Sequence, residues 1–118
     1  MRALIVYESM FGNTEVIAHA IAEGLAGGAV DVTVEVAEVG AAPTTTPAGV
    51  DLLVVGGPTH AHGMSKPESR ADSARRAGDR LVVSRGLGIR EWLETLRGGS
   101  TTAAAAAFDT RIKGPGLL

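Results

Sequence analysis

Ala3-Leu4-Ile5-Val6-Tyr7-Glu8-Ser9-Met10-Phe11-Gly12-Asn13-Thr14 is the stretch that decides how this chain folds. Residues 2–7 read as an apolar strand, which runs into a turn of glycine and polar side chains. A helical pattern follows at once in Val16, Ile17, Ala20, Ile21 and Leu25. A continuous apolar run marks a strand covered on both faces, as in a parallel sheet. The turn therefore lies where a buried strand meets a helix N-terminus. Unpaired N–H groups and the positive end of the helix dipole gather there, an arrangement that holds a phosphate. Each hydrogen bond to a charged phosphate oxygen contributes about 1.5–3 kcal/mol. Residues 9–14 contain no Lys or Arg, so neutral groups must carry such binding. That disfavours a nucleoside triphosphatase, whose loop needs a lysine.

The 118 residues are expected to form one domain, 1–118, with a modest core. No cysteine is present, which excludes disulfides, thiolate metal sites and a cysteine nucleophile. No apolar run approaches the roughly 18 residues of a membrane span, and the chain enters a strand with no signal peptide. A cytoplasmic protein without a membrane partner is the expectation. The net charge of −2 hides a gradient. Residues 1–64 carry seven acids against Arg2 alone, whereas residues 65–118 carry ten bases and six acids. Nucleic acid is not the expected partner, because acids interrupt the basic residues and stacking aromatics are scarce.

Farther along, residues 14–27 read as a helix, with Gly12 or Asn13 near its N-cap and Gly27-Gly28 closing it. Glu15, His19 and Glu23 recur on one face, which is taken as solvated. Val30 to Val36 alternates strictly, the mark of a half-exposed strand at a sheet edge. Residues 41–49 form a loop, and Asp51 to Gly56 a second fully buried strand that ends in Gly57–Gly63. Residues 65–80 read as a weak helix or a surface excursion, and Leu81-Val82-Val83 is too short to classify. Ile89, Trp92, Leu93 and Leu96 share a face, so residues 88–97 form an amphipathic helix with Trp92 in the core. Thr101 to Phe108 reads as another buried strand. This order predicts a doubly wound α/β fold, whose ligands sit beyond the C-terminal strand ends. Ser9–Thr14, Gly57–Gly63 and Asp109–Gly114 are the polar segments that converge there.

With these segments in hand, the chain resembles the flavodoxin family over nearly its whole length. Leu4 to Glu15 looks like that family's first strand and phosphate loop, and Leu53 to Thr59 like its second loop-bearing strand. The resemblance implies a parallel sheet of order 2-1-3-4 and non-covalently bound FMN. It places the FMN phosphate at Ser9, Met10, Phe11, Gly12, Asn13 and Thr14, with Met10 and Phe11 where smaller or hydroxyl residues are common. It places the flavin ring near Pro58, Thr59, His60, Ala61, His62 and Gly63, and near Phe108, Asp109 and Arg111 of the last loop. Gly63 is the candidate for a peptide that reorients on reduction, since glycine tolerates positive φ. His60 stands where a stacking tryptophan is common, and no tyrosine follows the last strand. Loss of both stackers would remove about 1–3 kcal/mol per contact. The family's fifth strand has no counterpart in this reading, which leaves the fourth strand as an edge; truncation, a decayed gene product and a homo-oligomer that covers the edge are the alternatives.

The implied function is electron transfer with redox partner proteins. An FMN-dependent quinone or flavin reductase stays open, with His60, His62 or Arg111 over the ring. So does a degenerate domain that binds no flavin and acts through protein contacts. Other functions on the same fold fail on particular residues. A receiver domain needs an aspartate where this chain has Gly56-Gly57. A low-molecular-weight tyrosine phosphatase needs a cysteine. A dinucleotide site needs Gly-x-Gly-x-x-Gly after the first strand. His60 and His62 offer no third donor for a metal.

Overall fold

The computed structural model describes residues 1–28, 31–44, 48–59, 67, 83–84, 86–96 and 103–111. Strand β1 (Arg2–Tyr7) leads into helix α1 (Asn13–Ala26) and then strand β2 (Thr33–Glu38). A 3-10 turn (Val39–Ala41) and strand β3 (Leu52–Pro58) follow, and then helix α2 (Ile89–Thr95) and strand β4 (Ala104–Thr110). The strands form a parallel sheet in the order β2-β1-β3-β4. This is the α/β fold and strand order that the resemblance implied.

Alternation along β1 explains why its run is apolar throughout. Leu4 and Val6 pack with Ile89 and Trp92 of α2 on one face of the sheet. Ile5 and Tyr7 pack with Ala18 of α1 on the other. A strand covered on both faces buries every side chain, whatever its parity. The helices therefore lie on opposite faces, and the winding reverses between β1 and β3. Trp92 is 0% exposed, and its indole Nε1–H donates to the Pro43 carbonyl at 2.8 Å.

The expected elements shift in several places. Helix α1 turns a different stripe toward the sheet than the one read from its large apolar residues. Ala18, Ile21, Ala22 and Leu25 face the core, which is an i, i+3, i+4, i+7 set. Val16 is 65% exposed and Ile17 is 42% exposed. The small Ala18 and Ala22 let the helix axis approach the sheet, and that contact sets the buried face. Strand β2 begins at Thr33 rather than Val30, which lies outside the described residues. It forms one edge of the sheet and is half-exposed, as alternation required.

Two strands are less covered than expected. In β3 only Val54 and Gly56 are buried. In β4, Ala104 to Ala107 are exposed and Phe108 is half-buried. Among the described strands β4 forms the other edge, beyond the central strands that the helices cover, and methyl side chains are too short to reach either helix. The structure places Phe108 on the α1 face, opposite Gly56. A Cβ at Gly56 would overlap the Phe108 ring, so this position requires glycine.

Candidate functional site

The C-terminal ends of β1, β3 and β4 meet at one end of the sheet, joined by side-chain hydrogen bonds. The Thr14 and Thr110 hydroxyls lie 2.8 Å apart, which ties the start of α1 to the end of β4. Thr59 Oγ1 donates to Asp109 Oδ2 at 3.0 Å, and the Thr59 N–H donates to the Thr110 carbonyl at 2.8 Å. Through Thr59, these contacts extend the pairing of β3 and β4 one residue past the end of β3. The turn after β1, Thr59 and Asp109–Arg111 thus lie together at the end of the sheet where the winding reverses.

The turn after β1 is built from inside. Ser9 is 0% exposed, and its N–H donates to Ser84 Oγ at 2.9 Å. The Ser84 N–H donates to the Ser9 carbonyl, and the Val83 N–H to the Met10 carbonyl. Ser9 Oγ accepts from the Gly12 N–H at 3.1 Å. Gly12, the N-cap of α1, has φ +95°, a left-handed conformation that turns the chain into the helix. Its carbonyl accepts from the Val16 N–H at 3.0 Å. The N–H groups of Asn13, Thr14 and Glu15 then have no carbonyl one turn earlier in the helix.

Charged groups at this end of the sheet are held by their neighbours. Buried Glu8 accepts the Ile89 N–H at Oε1, at 2.8 Å, and so caps α2. Tyr7 donates its hydroxyl to Glu15 Oε2 at 2.7 Å. Burial, then the bond to Glu15, push the Tyr7 phenol up to about 12. Glu15 is therefore not simply solvated, as the sequence had implied. The exposed His19 ring stands 6.2 Å from the Tyr7 ring. Arg111 donates to Asp109 Oδ2 from Nε and Nη2, at 3.1 and 2.9 Å. Those bonds, with the Thr59 bond, hold the Asp109 carboxyl below its ordinary range.

The expected site residues divide by position. Gly12 and Asn13 form the start of α1, with open space beside Gly12, and Phe11 before them is 49% exposed. Ser9, Met10 and Thr14 are buried and help to build the loop. Pro58, Thr59, Asp109 and Arg111 stand at the strand ends. The Phe108 ring is turned into the α1-side core. His60, Ala61, His62 and Gly63 lie outside the described residues. Ser84 escaped the sequence reading, because Leu81 to Val83 was too short to place and a lone serine carries no signal.

The Flavodoxin family model matches residues 5–109. The chain belongs to the flavodoxin family. No curated protein is significantly similar to it in sequence. A flavodoxin domain points to a flavin-binding, electron-transfer role. The corner at α1 has the donor chemistry of an anion site, with a left-handed Gly12 leading into first-turn amides. A Cβ built on Gly12 would meet nothing within 4 Å, so the turn has open space beside it. The donors there are neutral amides at the positive end of a helix dipole, which suits an anion. Among the described residues, no helix is long and apolar enough to cross a membrane.

Proposed function

We propose that this flavodoxin-family chain binds FMN non-covalently and carries electrons for redox partner proteins in the cytoplasm. The observation that supports this most is the joining of the β3 and β4 ends to the start of α1, whose first-turn N–H groups have no acceptor within the helix. In this reading the N–H groups of Asn13, Thr14 and Glu15 hold the phosphate. Gly12 aims them, and Ser9 and Ser84 keep the loop rigid from behind. Thr59 and Asp109, fixed to each other, border the ring. The bound flavin would supply the redox chemistry, and the protein position and electrostatics. The acids of residues 1–64 disfavour added negative charge on the flavin and lower its potential, subject to screening by salt.

Titrating the apo-protein with FMN while following flavin fluorescence tests the reading. Saturable quenching with a Kd in the micromolar range or tighter is expected. No uptake at about tens of micromolar FMN would sink it and favour a flavin-free domain. Steady-state assays with NAD(P)H and a quinone then separate carrier from reductase. The carrier shows no turnover unless a partner reductase is added.

A further inference from the structure

Glu15 occupies the third residue of α1, counted from the Gly12 N-cap. A glutamate there ordinarily swings back over the helix start, where its carboxylate meets the N-cap N–H and the dipole. In this chain that swing would put a negative charge on the amides that the FMN reading assigns to the phosphate. The structure shows the side chain diverted. Its Oε2 accepts the Tyr7 hydroxyl at 2.7 Å, and the Gly12 N–H is given to Ser9 Oγ instead. Tyr7 lies on the α1 face of β1, with its ring buried among Ile5, Ala18 and Val54. Its hydroxyl is thus a fixed anchor.

We propose that Tyr7 is a positioning residue that ties Glu15 down against the sheet and so keeps the helix start clear for a phosphorylated ligand. This rests on the FMN reading. The device works by removing an internal competitor rather than by touching the ligand. Without the phenol, the Glu15 carboxylate, itself in the first turn of α1, is released toward those amides and takes the place of the phosphate.

The test compares FMN with riboflavin, which has the same ring and no phosphate, by fluorescence titration of apo-protein. Tyr7→Phe keeps the ring and removes only the hydroxyl. It is expected to weaken FMN about three- to thirtyfold, to leave riboflavin within twofold (~2), and to melt cooperatively. The double variant Tyr7→Phe/Glu15→Gln is expected to recover wild-type FMN affinity, because glutamine carries no charge to compete. Glu15→Gln alone binds FMN at least as tightly as wild type. Equal weakening of both flavins by Tyr7→Phe would make Tyr7 a merely structural residue and overturn the proposal. So would an unchanged FMN affinity in Tyr7→Phe, or a double variant that stays weak. Wild-type protein that takes up neither flavin would instead overturn the FMN reading itself, and this inference with it.

Discussion

At the scale of single residues, Tyr7 gives the most direct handle on the site. It is the chain's only tyrosine, so phenolate absorbance reports this group alone. Folding raises its pKa from 10.0 to about 12, through burial first and the Glu15 bond second. The fold therefore favours the neutral phenol. That stabilisation is complete below the unfolded value of 10.0 and is lost as pH rises through about 12. Its size is about 2–3 kcal/mol. A phenolate midpoint near 10 in native protein would refute this, as would a Tyr7→Phe variant that loses stability over the same alkaline window as wild type. Gly56 gives a second prediction. Gly56→Ala drives a methyl group into the Phe108 ring and should cost about 1–3 kcal/mol in urea unfolding. The cost should shrink in a Phe108→Ala background, where the space is vacant.

Among the elements, the Val83–Ser84 segment is short, yet it holds the turn after β1 through three hydrogen bonds. Ser84→Ala leaves the buried Ser9 N–H without its side-chain acceptor. The expected loss is about 1–3 kcal/mol of stability, together with faster hydrogen exchange at Gly12 and Asn13. Unchanged exchange there would show that the turn is rigid without the clamp. This clamp was not legible in the sequence, because it joins residues 75 apart, and nothing local to a serine announces so distant a partner. The buried stripe of α1 was hidden for a related reason. Val16 and Ile17 are large and apolar, but close approach to the sheet selects Ala18 and Ala22. By contrast, β1 and the spacing of Ile89, Trp92 and Leu96 were legible, since continuous runs and helical periods are written locally. The polar turn from Ser9 to Thr14 was legible as a helix start. Which of its hydroxyls face inward was not, because Ser84 and Thr110 decide it.

Seen whole, the molecule has a stable centre and weaker flanks. Strand β1 is buried on both faces and paired on both sides. Strand β4 is paired on one side among the described strands and exposes Ala104 to Ala107. Native-state hydrogen exchange should rank β1 amides slowest, then β3, with β2 and β4 opening first. Exchange in β4 as slow as in β1 would show that its edge is covered in solution. The strand order was anticipated through the family resemblance of the first strand and its turn, while the residues alone indicated only a doubly wound α/β sheet. The weak cover of β4 was not anticipated, since an alanine run reads as apolar whether or not anything packs on it.

Glu8 and Ser9 are neighbours in the chain, yet they serve opposite layers. Glu8 seizes the first amide of α2 on one side, while Ser9 latches the bend that launches α1 on the other. Their adjacency leaves no slack. An extra residue inserted between them would throw one grip out of reach whichever way the backbone relaxed, so this joint tolerates altered side chains far better than altered length.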